Sequence, residues 1–183
     1  MVVSESMQQA KRYPHPQGQP SQIKMLIAEL GNSNGLIRQQ ARISLNKMGE
    51  PAVDALIEAL NIRRGPARWE AAKALSQIGS PKAAQALVKA LSDDQFSIRW
   101  LAAEGLIKLG RNGLRPLLEA LWQAPDSIRL QTGAHHILYD LVSQESLDAQ
   151  LLIQLRMVLA ALNYLDPAVA LPATVMPALK MLE

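Results

Sequence analysis

Apolar residues recur along most of this chain at helical spacing, and the helical segments themselves recur at a second, longer period. The stretch from Gly65 to Gly110 shows it best: the run from Arg68-Trp69 to Gly79 returns as Arg99-Trp100 to Gly110, with the apolar segment AAQALVKAL between the copies. Along the chain, one kind of segment carries Leu26/Leu30, Leu56/Leu60, Leu87/Leu91 and Leu117/Leu121, and the other opens at Arg38, Arg68, Arg99 and Arg129. Equivalent positions therefore step by 30, 31 and 30 residues. Such self-similarity predicts stacked helix pairs, because a single pair cannot bury its own apolar face.

The pattern predicts first helices near 22–30, 52–61, 82–91 and 112–122, and second helices near 36–48, 66–78, 97–109 and 127–142. Gly49, Gly79 and Gly110 close second helices where a left-handed cap favours glycine, and Pro51 and Pro81 sit where the next helix starts. Ser97 and Ser127 are expected as N-caps. Counting from each arginine, the third residue on is Ala41, Ala71, Ala102 or Thr132, the seventh Leu45, Leu75, Leu106 or His136, and the tenth Met48, Ile78, Leu109 or Tyr139. At about 100° per residue these positions share one stripe, predicted to be buried against neighbouring repeats.

The phase is lost after Asp140. Residues 1–20, polar and proline-rich, predict a mobile tail. Four repeats are expected at 21–49, 50–79, 80–110 and 111–142, and a helical cap over 143–183 to cover the last apolar face. Within that cap, 147–164 predicts a longer amphipathic helix, while Pro172 and Pro177 are expected to limit the final segment to a short helical piece. Leu182-Glu183 reads either as a cloning scar or as the cut edge of a longer protein. The predicted fold is all-α: a right-handed α-α superhelix of four helix pairs and a C-terminal cap.

Composition sharpens this picture in three places. Apolar residues make up 49% of the chain but only seven are aromatic, so Leu and Ala must carry the packing, which favours closely stacked helices. No apolar run approaches the roughly 18 to 20 residues that span a bilayer, and the N-terminus lacks an apolar signal core, so a cytoplasmic location away from membranes is expected. The absence of cysteine excludes disulfides, thiolate metal sites and a cysteine nucleophile. The net charge of +3 divides into +1 over residues 1–37, +6 over 38–115 and −4 over 116–183, a polarity able to steer a charged partner.

The unit at 87–110, LVKALSDDQFSIRWLAAEGLIKLG, resembles the short HEAT-like repeat of the phycobilisome-lyase type, and the resemblance extends over about residues 22–142. Relatives of this repeat include phycobilin lyase subunits, an iron-dependent deoxyhypusine hydroxylase and adaptor-like proteins, so the resemblance implies a solenoid and leaves several functions open. In the resembled hydroxylase, His-Glu pairs follow the start of the second helices. Here those places hold Gln39-Gln40, Trp69-Glu70, Trp100-Leu101 and Leu130-Gln131, so no metal is expected. His135 and His136 are adjacent and would diverge by about 100° on a helix, with His136 on the buried stripe.

Trp69 and Trp100 hold the same place in adjacent repeats, about 150° from the buried stripe, and are expected either to form a solvent-facing ridge or to cover the joints between helices. With Gln39, Ile43, Glu70, Lys73, Glu104 and Leu130 they make the predicted partner-binding face, which is concave in the resembled arrays. Arg38, Arg68, Arg99 and Arg129 are expected as a structural ladder: Asp93 or Asp94 would meet Arg99 and Asp126 would meet Arg129, while Arg38 and Arg68 have no matching loop acid. Arg63 and Arg64 are candidate anion contacts, supported by Arg42, Lys47, Lys73 and Lys108, but interleaved acids make nucleic acid the lesser expectation. The function expected is a non-catalytic scaffold that binds another protein without a cofactor. The alternative implied by the resemblance is a phycobilin lyase subunit, or a chaperone-like relative, handling a bilin or biliprotein. A second repeat subunit continuing the solenoid is a further candidate partner.

Overall fold

The computed structural model describes residues 20–62, 65–144, 147–164 and 166–183. Apart from Pro20, the expected tail lies outside them. Four helix pairs follow one another: α1 (Pro20–Glu29) with α2 (Gly35–Met48), α3 (Val53–Leu60) with α4 (Pro66–Ile78), α5 (Ala84–Ala90) with α6 (Phe96–Leu109), and α7 (Arg111–Gln123) with α8 (Ile128–Ser143). Then come α9 (Ala149–Leu162) and α10 (Pro167–Lys180), and no strand is present among the described residues. Second helices stack in sequence, α2 on α4, α4 on α6 and α6 on α8. The all-α solenoid is thus realised, with a core running continuously from Ile23 to Ala178.

The glycine breaks fall as the sequence predicts. Gly49, Gly79 and Gly110 have φ of +66°, +71° and +55°, a backbone that side chains with a Cβ resist. Pro51 and Pro81 open single 3-10 turns, Glu50–Ala52 and Pro81–Ala83, that run into α3 and α5. The serine caps do not follow expectation. Ser97 lies inside α6, which starts at Phe96, and Ser127 holds the cap position of α8 without a side-chain hydrogen bond.

The buried stripe is right for three repeats and wrong for the fourth. Ala41, Leu45, Ala71, Leu75, Ala102 and Leu106 are all at most 1% exposed. In α8, however, Thr132 and Tyr139 are exposed and His136 is half-buried, while Leu130, Ala134, Leu138 and Leu141 turn inward. These match Ile98, Ala102, Leu106 and Leu109 of α6, each 32 residues earlier. Their first-helix counterparts keep a step of 30, Leu87 to Leu117 and Leu91 to Leu121. The loop ahead of α8 is therefore two residues longer than the one ahead of α6, and it rotates α8 by two positions against the sequence alignment.

The cap also departs from expectation. α10 continues through both Pro172 and Pro177 for 14 residues. Leu171, Val175 and Ala178, spaced along one face, are fully buried against α7 and α9, and that burial outweighs the helical hydrogen bonds the prolines remove. The Thr174 hydroxyl donates to the Leu171 carbonyl at 3.1 Å in the same stretch. α9 stacks on α8 and α10 on α7, so this last hairpin joins the second-helix layer first and returns along the first-helix layer. Arg111 ties it down, donating to Asp148 Oδ2 at 3.0 Å and to the Met181 carbonyl at 3.1 Å.

The register makes a direct prediction. Leu75→Ala and Leu138→Ala should each cost about 2 to 5 kcal/mol in urea unfolding, whereas Tyr139→Ala, at a 61% exposed position, should stay within about 0.5 kcal/mol. Equal costs at 138 and 139 would refute the rotated register.

Asp148 carries a pH dependence of the cap. The Leu151 amide it caps, and then Arg111, hold its carboxyl below the usual carboxylate range. Its contribution is complete above that range and fades as pH falls through the lowered value. Amide exchange in α9 should therefore accelerate on acidification, and Asp148→Asn should flatten the response.

Candidate functional site

Two polar systems hold the second helices in place before any surface is left for a partner. The first is buried. Arg42 of α2 donates from Nε to Glu70 Oε2 of α4 at 2.8 Å and from Nη1 to Gln77 Oε1 at 2.9 Å, with both members of the ion pair under a tenth exposed. Arg38 Nε lies 3.6 Å from the other Glu70 oxygen. Glu70, expected on the partner-binding face, is instead the anion that joins α2 to α4. Arg42, counted in the basic surface, is its counter-ion.

The second system runs through the loops. Arg38 Nη1 donates to the Asn32 carbonyl at 2.8 Å, Arg99 Nη1 to the Asp93 carbonyl at 2.8 Å, and Gln131 Nε2 to the Pro125 carbonyl at 2.6 Å, each six residues back. Gln131, not Arg129, thus fills the fourth rung, in keeping with the rotated α8. The carboxylates reach across repeats: Arg68 Nη2 meets Asp93 Oδ1 at 3.1 Å, and Arg129 Nη1 meets Asp94 Oδ1 at 2.8 Å. Arg68 therefore does have a loop acid, supplied by the next repeat. The expected partners Asp93 or Asp94 serve Arg99 through carbonyl oxygens rather than carboxylates, and Asp126 stands exposed.

The two tryptophans part company. Trp69 is half-buried against the core, with Lys73 Nζ 4.8 Å from its ring centroid. Trp100 is 48% exposed, stacks on His136 at 4.9 Å with 25° between planes, and lies 6.4 Å from Phe96. His136 Nε2 also approaches Glu104 Oε1 at 3.5 Å. Beside this group, between the first turns of α6 and α8, opens a cleft of about 310 Å³ lined by Leu91, Phe96, Arg99, Trp100, Ile128, Arg129, Thr132 and Gly133 among others. Its existence follows from the rotation of α8. The sequence alignment sets Leu130 beside Trp100, but Leu130 is 4% exposed in the core, and Thr132 with Gly133 stands there instead.

Phe96 and Ile128, 68% and 76% exposed, were not expected at the site. Their signal in the sequence is an apolar residue at the first turn of a helix, off the buried stripe. Of the remaining expected residues, Gln39 and Ile43 are exposed on α2, away from the cleft lining, and Arg63 and Arg64 lie outside the described residues. His135 turns away from His136 and stacks on Tyr139. Among the described residues no three His, Asp or Glu side chains are grouped to hold a metal ion, and no helix is long and apolar enough to cross a membrane.

Removing one partner of the buried pair tests the first polar system. Glu70→Gln should destabilise by about 3 to 5 kcal/mol in denaturant unfolding, because it strands the Arg42 charge, while Glu104→Gln on the surface should change stability by under about 0.5 kcal/mol.

Comparison with curated proteins finds no match. The HEAT repeats family model matches residues 23–107 and, in a second placement, 64–137. Together these cover most of the chain, from α1 into α8, and include both polar systems and the cleft. With its helix pairs stacked through leucine and alanine and its second helices packed one on the next, this chain belongs to the HEAT-repeat family.

Proposed function

We propose that this chain is a non-catalytic scaffold that binds another protein through the exposed face of its second helices, centred on the cleft at Trp100, without a cofactor. HEAT repeats commonly serve as protein-interaction scaffolds. The observation that carries the reading is the grouping of Phe96, Trp100 and Ile128, three large apolar side chains exposed together at the mouth of a cleft. Such clusters with a polar rim mark contact sites, and buried tryptophan anchors dominate binding energy. Larger hollows of about 550 and 680 Å³ on the first-helix side contain no aromatic side chain.

A bilin-handling role rests on the repeat subtype alone. The cleft is at the low end of small-molecule sites and favours a partner's side chain over an open-chain tetrapyrrole. Of the residues expected to support an anion contact at Arg63 and Arg64, Arg42 pairs with Glu70 and Lys108 donates to the Gln77 carbonyl.

Affinity capture from the native cell, repeated with single variants, tests the reading. Trp100→Ala should stay within about 0.5 kcal/mol of wild-type stability and lose about 2 kcal/mol or more of partner binding. Trp69→Ala should instead cost about 1 to 3 kcal/mol of stability by uncovering core. Undiminished capture by Trp100→Ala and by Ile128→Asp would place the working surface elsewhere.

A further inference from the structure

The charges around the cleft say what kind of segment fits it, given the scaffold reading on which this inference rests. Arg99 is half-buried and held rigidly: Nη1 bonds the carbonyls of Asp93 and Asp94 at 2.8 and 3.1 Å, and its guanidinium carbon lies 5.4 Å from the Phe96 ring centroid. The nearby carboxylates are committed elsewhere, Asp93 to Arg68 and the Gln95 amide and Asp94 to Arg129, and no carboxylate pairs with Arg99 among the described residues. A fixed cation thus stands beside an apolar cleft with only neutral acceptors. Arg129 flanks the other side, and its partner Asp94 is 89% exposed at the side chain, so that pair is weak and exchangeable.

A helix end adds to this field. α6 and α8 both begin at the cleft, with Phe96 and Ile128 as their first residues, and neither Gln95 nor Ser127 caps them through a side chain. At the head of α6 the Asp93 carboxylate accepts from the Gln95 amide at 2.8 Å, so it is the N-terminus of the 16-residue α8 that adds positive potential at the opening. Of the other acids near the cleft, Glu104, one turn beyond Trp100, lies 3.5 Å from His136, and Asp126 stands exposed in the loop before α8.

We propose that this cleft receives an acidic linear segment of the partner protein, whose large apolar side chain seats against Trp100, Phe96 and Ile128 while an adjacent carboxylate reaches Arg99 and Arg129. The anchor supplies burial. The carboxylate supplies selection against basic segments, since an arginine already oriented by backbone bonds loses little freedom on binding.

The test uses the full chain and three fluorescein-labelled peptides: GSDELFDDGS, its anchor-free form GSDEAADDGS and its charge-reversed form GSKKLFKKGS. Fluorescence polarisation should show the first binding about tenfold or more tightly than either control, with weakening as salt rises from about 0.05 to 0.5 M. Nitrogen-15 NMR should place the shifts at the Trp100 indole. Ile128→Asp and Arg129→Glu should each lose about tenfold, and Trp122→Ala, at an exposed tryptophan outside the cleft, should bind as wild type. Circular dichroism and urea unfolding show whether each variant is folded. No binding of the acidic peptide, equal binding of all three, shifts mapping outside the cleft, or a preference for the basic peptide or a 12-base-pair DNA duplex would overturn the proposal. So would a dimer, seen by light scattering, that buries Trp100. If native-partner capture still depends on Trp100 while the acidic peptide fails, the acidic-segment assignment falls and the scaffold reading stands.

Discussion

Adjacent second helices in this solenoid approach closely through small residues at their contacts, and every other feature is arranged around that spacing. A Cβ at Gly105 would lie 2.9 Å from a Leu87 methyl and 3.2 Å from the Ser76 backbone, so α6 can reach α4 and α5 only because that atom is missing. Ala71, Ala74 and Ala102 are fully buried in the same layer. Between them the leucines of α3, α5 and α7 fill the space from below. Short helices that are marginal alone become stable because each completes its neighbour's core.

Close stacking also governs where charge goes. A guanidinium between α2 and α4 has no water to fall back on, so Arg42 requires Glu70 and Gln77. The loop arginines sit nearer the edge and use carbonyl oxygens within the repeat, leaving loop carboxylates to bridge to neighbours. Among the described residues, the division leaves Arg99 oriented but without a paired carboxylate beside an apolar cleft. The structural ladder and the cleft lining thereby share the same side chain.

The cleft exists because one loop is two residues longer than its counterpart. The added length turns α8 so that Thr132 and Gly133 face Trp100, and Gly133 lets α8 settle on Leu91, where a Cβ would come within 3.0 Å of a methyl group. One repeat earlier, Trp69 is half-buried against the core with Lys73 over its ring. The break in regularity is local, and it falls where the apolar exposure is greatest.

The sequence by itself determined the helix pairs, their period and the glycine breaks, because these follow from spacing and backbone preference within a few residues. The buried stripes of α2, α4 and α6 were legible for the same reason. Tertiary structure alone decided the phase of α8, the survival of α10 through two prolines, the burial of Glu70 and the separate fates of Trp69 and Trp100. Each depends on what stands one repeat away: a loop's length, the apolar face that repays a proline, a facing arginine, a glycine where an alignment places leucine. The ladder shows the limit most plainly. Asp93 lies six residues before Arg99, yet its carboxylate belongs to Arg68, because stacking brings consecutive loops side by side in a way that order along the chain does not reveal.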